Sequence, residues 1–133
     1  GRTRDEGFMT ENKRRIMIGS YVLSSGYYDA YYQKAQKART LLINEYNDLF
    51  KTYDVLIGPV TPTPAFALGE NADDPVKMYL ADIMTVPPSL AGLPAISVPA
   101  GVSSAGLPIG VQLIGARRSD ANLLALAREM ENK

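Results

Sequence analysis

The sequence contains neither histidine nor cysteine, which limits the chemistry open to its remaining polar residues. A Ser-His-Asp or Cys-His relay cannot be completed within these 133 residues. Imidazole and thiolate metal sites are excluded with it. Lys, Ser, Tyr, Asp and Arg remain. Ser24-Ser25 and Ser103-Ser104 are paired hydroxyls, but the first pair ends a helical pattern and the second falls in a turn, so neither is read as a nucleophile. Asp73-Asp74 precedes a helix that opens on proline; adjacent carboxylates there act as caps, and no metal is assigned. Lys13-Arg14-Arg15 places cations near a helix start, against the macrodipole at roughly 0.3–1 kcal/mol each, so at least one should have a partner. The densest feature is Ser24-Ser25-Gly26-Tyr27-Tyr28-Asp29-Ala30-Tyr31-Tyr32, which holds half of the tyrosines. Tyr28 and Tyr31 fall on a helical apolar stripe and are expected in the core. Tyr27, Tyr32 and Asp29 face elsewhere and are candidates to line a pocket or meet a neighbouring subunit. Lys34, Lys37 and Arg39 are expected to form a solvated face.

The elements that must position these residues follow from periodicity and punctuation. Thr10 is expected to cap a first helix from Glu11 to about Leu23, ended by Ser24-Ser25-Gly26. A second helix is expected over 27–53, because Tyr28, Tyr31, Ala35, Ala38, Leu42, Tyr46, Leu49 and Tyr53 recur at three- and four-residue steps. Asp54-Val55-Leu56-Ile57-Gly58-Pro59 is expected to be a buried parallel strand covered on both faces. Thr61-Pro62-Thr63-Pro64 follows its end and must be extended. Loops at strand ends commonly shape ligand pockets, so Thr61 and Thr63 are pocket candidates. Asp74 caps a third helix with Pro75 in its first position, running through Met78, Leu80, Ile83 and Met84 until Pro87-Pro88, with at most one turn at 89–92. Ala95-Ile96-Ser97-Val98-Pro99 and Ile109-Gly110-Val111-Gln112-Leu113-Ile114 are strands joined by a hairpin-like link at 103–108. Ser119 or Asp120 caps a last helix bearing Leu123, Leu126, Ala127 and Met130.

Strands separated by helices give an α/β class. Three strands make a thin sheet, so the chain is read as part of a larger layered domain. The charge balance is zero and no window collects a run of like charges, which gives no electrostatic footprint for nucleic acid. No apolar run approaches membrane-spanning length, and the missing cysteines fit a reducing cytosol.

Five stretches together resemble the amidase signature family over essentially the whole chain. They are Lys13-Arg14-Arg15-Ile16-Met17-Ile18-Gly19, the tyrosine-rich segment, Asp74-Pro75 through Tyr79-Leu80-Ala81-Asp82, Leu90-Ala91-Gly92-Leu93-Pro94-Ala95-Ile96-Ser97-Val98-Pro99, and Gly106-Leu107-Pro108-Ile109-Gly110-Val111-Gln112-Leu113-Ile114-Gly115. The tyrosine-rich and 79–82 segments narrow the resemblance to the branch formed by the glutamine-hydrolysing A subunits of heterotrimeric tRNA-dependent amidotransferases. The resemblance implies the C-terminal part of a single layered α/β/α domain with a mixed sheet, an incomplete domain spanning residues 1–133.

It further implies that the Ser–cis-Ser–Lys triad of the family lies upstream, so that no catalytic residue is in this chain and the chain alone is inactive. What it carries over is a substrate clamp. Arg15 would hold the α-carboxylate of glutamine, with its neighbour Arg14 as competitor, and Asp82 would accept from the α-amino group. The B and C subunits of the heterotrimer, a mischarged tRNA, and ATP with Mg²⁺ used by a partner subunit complete the implied complex, in the cytoplasm. No cofactor is expected in this chain. Two departures from the family pattern stand out: Ala100 where a cysteine is common, and Ser89 where many relatives carry asparagine. The rival functions are a stand-alone amidase for small amides and a non-catalytic interaction module.

Overall fold

The computed structural model describes residues 1–24, 27–70 and 74–131. The chain divides into two compact units, Gly1–Leu41 and Leu42–Lys133.

The first unit is helical. α1 (Arg2–Gly7) is followed by α2 (Thr10–Val22), a π-helical turn (Tyr28–Tyr32) and the start of α3 (Gln33–Leu49). Thr10 does not cap α2. Met9 occupies the cap position without a side-chain bond, and Thr10 is the first helical residue. The helix breaker expected at Ser25 and Gly26 lies outside the described residues; Ser24 Oγ donates to the Tyr21 carbonyl at 2.6 Å. The π turn corrects the expected uninterrupted helix over 27–53. Its i→i+5 bonding inserts an extra residue into the turn and breaks the three- and four-residue rhythm. Tyr28 and Tyr31 are exposed, not core, and so are Ala35, Ala38, Leu49 and Tyr53 of the same expected stripe. The rings of the tyrosine-rich segment contact neighbours instead: Tyr27 stacks on Tyr31 with centroids 5.8 Å apart, while Tyr28 meets Tyr32 at 4.9 Å and Tyr21 of α2 meets Tyr27 at 4.3 Å in tilted pairs. The expected partners of the basic run are present. Arg15 Nε lies 2.9 Å from Glu11, Arg14 reaches the same carboxylate at 3.6 Å, and Lys13 donates to the Asp5 carbonyl.

In the second unit α3 ends at Leu49, and further turns carry the chain through Tyr53 into β1 (Val55–Pro59). α4 (Pro75–Ala81) and α5 (Val86–Ala91) come next, then β2 (Ala95–Val102), β3 (Pro108–Gly115) and α6 (Asp120–Glu131). The strands lie in the order β1-β3-β2. Both pairings are antiparallel, Val55 facing Gly115 in one and Ile96 facing Leu113 in the other. β1 is therefore not a parallel strand covered on both faces. It is an edge strand of this three-stranded sheet, and Ile57 is 63% exposed. A short β-branched run encodes a strand but not the direction of its partner. Pro59 and Pro99, which cannot donate to a ladder, are tolerated because both edge strands have a free side.

Side chains at alternate positions explain the layering. Ile96 and Val98 of β2 and Val111 and Leu113 of β3 share one sheet face. They pack with Leu123 and Ala127 of α6 into the core, which Val55 and Met130 extend. β3 meets α6 across Gly115, where a Cβ would touch Leu123 and displace the Ser119 hydroxyl from its place. The Ser119 carbonyl accepts from Leu123 N–H at the head of α6, while its hydroxyl turns back to the Ala116 carbonyl.

The third expected helix is two. α4 stops at Ala81, a turn occupies 82–85, and α5 begins at Val86 with Pro87 and Pro88 in its first turn. Proline there costs no hydrogen bond, because those amides have no intrahelical acceptor. The proline pair starts a helix where it was expected to stop one. Gly92 ends α5 in the left-handed region at φ 71°.

Candidate functional site

The local structure around Asp82 is built from both ends. Asp74 caps α4 as expected, its carboxylate accepting from Val76 N–H at 3.0 Å and Lys77 N–H at 3.1 Å, with Pro75 in the first turn. The helix then closes on Asp82, at φ −92° and ψ 0°. The Asp82 carbonyl accepts from Thr85 N–H at 3.0 Å, Val86 N–H at 3.1 Å and Thr85 Oγ1 at 3.2 Å. The turn continues into α5, where Ser89 Oγ donates to the Thr85 carbonyl at 3.0 Å. Ser89 thus bonds back to its own turn.

The Asp82 side chain is exposed. A carboxylate at the C-terminal end of a helix faces the negative end of the macrodipole, an unfavourable placement that a cation relieves. A ligand ammonium is such a cation.

Beside α4 lies a concavity of about 580 Å³, whose wall includes Thr63, Phe66, Lys77, Leu80, Ala81 and Leu107. Thr63, in the loop after β1, stands on the wall of this concavity. Thr61 lines a smaller one of about 230 Å³ together with Thr63, and its hydroxyl donates to the Thr63 carbonyl at 2.7 Å. Thr61 shapes the loop, while Thr63 faces the larger space. Lys77 and Glu70 on that wall were not singled out from the sequence; Glu70 is held by an N–H···O bond from Ala67 at 2.9 Å.

In the first unit, Arg15 projects from α2 beside a shallow groove of about 460 Å³ lined by Phe8, Glu11, Asn12, Arg15 and Ile16. Its bond to Glu11 is an exposed pair one helical turn apart, worth a few tenths of a kcal/mol. A ligand carboxylate presenting both oxygens to the guanidinium competes readily with so weak a pair. Tyr27 and Tyr32 stand in the ring stacks described above; the Tyr32 hydroxyl accepts from Gln36 at 2.9 Å, and Asp29 from Gln33 at 2.6 Å. The Tyr27 hydroxyl bond to Tyr21 pushes the Tyr21 phenol above its ordinary value. Arg15 belongs to the first unit and Asp82 to the second.

Of the paired serines, Ser24 serves a turn through its bond to Tyr21 and Ser103 by accepting from Leu107 N–H at 3.1 Å, while Ser25 lies outside the described residues. Of the acidic pair, Asp73 lies outside the described residues and Asp74 is the helix cap. Among the described residues no cluster of acidic side chains could hold a metal, and no helix is long and apolar enough to cross a membrane. Sequence reasoning passed over a further residue of this region. Gln112, in the middle of β3, is buried and donates to the Met84 carbonyl in the 82–85 turn at 3.0 Å. Its signal was available: a lone amide inside an otherwise apolar strand.

Comparison with known proteins settles the family. The amidase family model matches residues 1–124. This chain belongs to the amidase family. Among its relatives in that family, it is 59% identical over 129 residues to the A subunit of glutamyl-tRNA(Gln) amidotransferase of Brevibacillus brevis, covering 97% of this chain and 26% of that protein. The crystal structure of the A subunit of glutamyl-tRNA(Gln) amidotransferase from Thermotoga maritima superposes with a TM-score of 0.75 at 48% identity, over 99% of this chain and 29% of that one. An allophanate hydrolase of Kluyveromyces lactis matches with a TM-score of 0.69 at 32% identity, over 95% of this chain and 21% of that one. The α/β architecture described above is thus part of the amidase fold. The chain spans about a quarter of the length of the Brevibacillus relative. The three strands among the described residues pair only antiparallel, so any parallel pairing of a mixed sheet involves other strands.

Proposed function

We propose that this chain is the substrate-clamp segment of a glutamine-hydrolysing amidotransferase subunit. The identity of 59% to the A subunit of a glutamyl-tRNA(Gln) amidotransferase, sustained over 97% of the chain, carries the proposal. A Ser–cis-Ser–Lys triad elsewhere in the longer polypeptide performs the chemistry. Lysine takes the proton of serine, serine attacks the side-chain amide carbon of glutamine, ammonia leaves, and water releases glutamate from the acyl-serine. Ammonia passes to a partner subunit that uses ATP and Mg²⁺ to activate glutamyl-tRNA(Gln), and the product is glutaminyl-tRNA(Gln). The A, B and C subunits form the complex in the cytoplasm.

Within this scheme Arg15 binds the α-carboxylate of glutamine and Asp82 its α-ammonium. Two opposite charges on separate helices select a free amino acid over a simple amide. The support is local: Arg15 is exposed on α2 and its pair with Glu11 is a weak one, and Asp82 sits where a cation is favoured. Thr63 shapes the adjoining wall.

The likeness to an allophanate hydrolase favours one alternative, a stand-alone amidase of the same family for small amides. Ammonia release by the full-length protein separates the two. The proposal expects glutamine to be used far better than an amide of equal length lacking both α-groups. Equal use of the two amides would favour the stand-alone amidase.

A further inference from the structure

Gln112 is 6% exposed, the buried polar residue among the described residues of the second unit. It projects from β3 on the sheet face opposite the α6 core, in register with Ser97 of β2 and Gly58 of β1. Burying a primary amide is unfavourable unless it is hydrogen-bonded. Its Nε2 donates to the Met84 carbonyl, 28 residues earlier in the chain, at 3.0 Å. Local hydrogen bonds also shape the 82–85 turn: Asp82 and Ile83 N–H donate to the Tyr79 and Leu80 carbonyls, Thr85 and Val86 to the Asp82 carbonyl, and Ser89 to the Thr85 carbonyl. Those bonds give the turn its shape. The Gln112 amide ties it to the sheet.

We propose that Gln112 is a positioning residue for substrate recognition: by holding the Met84 carbonyl, it fixes the turn that carries Asp82 and so directs the Asp82 carboxylate at the α-ammonium of an amino acid substrate. This role rests on the proposed function of Asp82 as the ammonium ligand. A turn released from the sheet weakens the ammonium contact but leaves the reacting amide to the triad. The loss therefore falls on glutamine recognition.

The test uses the full-length enzyme with Gln112→Met, Asp82→Ala and the double variant. Methionine keeps the length and approximate volume of glutamine but has no donor. The readouts are kcat and KM for glutamine, and the ratio of kcat/KM between glutamine and an amide lacking both α-groups. Gln112→Met should raise KM for glutamine about ten-fold, with the loss in KM and not in kcat, and lower the ratio correspondingly. Added to Asp82→Ala it should lower the ratio no further, because the two act through one contact. A Gln112→Met variant that impairs both amides alike would make Gln112 a packing residue and overturn the proposal, as would full additivity in the double variant. If Asp82→Ala collapses the ratio and Gln112→Met does not change it, the positioning role alone is lost. If Asp82→Ala leaves the ratio intact, the proposed function of Asp82 fails and takes the positioning role with it. Should Gln112→Met not fold, Gln112→Glu supplies the same test. A protonated carboxyl donates to the Met84 carbonyl and a carboxylate cannot, so KM for glutamine should climb relative to wild type as pH rises. A KM that parallels wild type at every pH would overturn the role.

Discussion

At the scale of the residue, the two proposed substrate ligands differ in how replaceable they are. The guanidinium of Arg15 offers two parallel donors to a carboxylate, and lysine offers a point charge. Arg15→Ala in the full-length enzyme should raise KM for glutamine about ten- to a hundred-fold, the value of a charged hydrogen bond. Arg15→Lys should recover only part of that loss. Arg14 contacts Glu11 at 3.6 Å, longer than the 2.9 Å of Arg15, and leaves the helix about 100° away from it. Arg14→Ala should change KM by less than Arg15→Ala; steady-state kinetics on the pair decides between them, and the reverse order would move the carboxylate contact to Arg14. Tyr46, half-buried on α3, gives a pH signature. Burial pushes its phenol above the ordinary value. A raised folded pKa means that the stability tied to the neutral phenol is fully present below about pH 10 and is lost as pH climbs through the raised value. Denaturant unfolding of wild type and Tyr46→Phe should therefore diverge above about pH 10, with the phenylalanine variant losing less.

At the scale of the element, the loads fall on a few contacts. Leu113 is fully buried between the sheet and α6, so Leu113→Ala should cost about 2–5 kcal/mol in equilibrium unfolding. Asp74→Ala should cost about 1 kcal/mol, because α4 loses the acceptor for two of its first amides. How legible these elements are in the sequence depends on the range of their signals. The Asp74-Pro75 helix start, the β2–β3 hairpin and the α6 pattern are written in neighbouring residues, and the structure has each of them. The π turn is not legible, because an i→i+5 ring needs no residue type that an α-helix refuses; four tyrosines at helical spacing look the same either way. The direction of β1 departs from expectation because it is fixed by Val55 meeting Gly115 far along the chain. The 82–85 turn escapes local reading because Pro87-Pro88 can stop a helix or start one, and only the start is used here. The site follows the same rule. Thr63 lines its pocket by virtue of a strand-end loop that local sequence defines, whereas the contact of Gln112 with Met84 depends on a fold no window of residues contains.

At the scale of the whole molecule, this chain matches about a quarter of its amidotransferase relative and leaves large apolar side chains such as Ile57, Phe66 and Leu68 exposed. Among the described residues, no strand pairs with the outer sides of the edge strands β1 and β2. The isolated chain should therefore self-associate and unfold without a sharp transition, which sedimentation and calorimetry would record, and it should release no ammonia from glutamine. A monodisperse chain with a single cooperative transition would instead favour an autonomous interaction module. The amidase fold supplies the scaffold, and the charges on α2 and at the end of α4 are what would make a general amide hydrolase selective for an amino acid. The most direct test of that claim is ammonia release by the full-length enzyme carrying Asp82→Ala, with glutamine compared against an amide lacking both α-groups. Preference for glutamine should fall about ten- to a hundred-fold while the simpler amide is used as before. Undiminished preference for glutamine in the variant would contradict the account and leave Asp82 a surface carboxylate at the end of a helix.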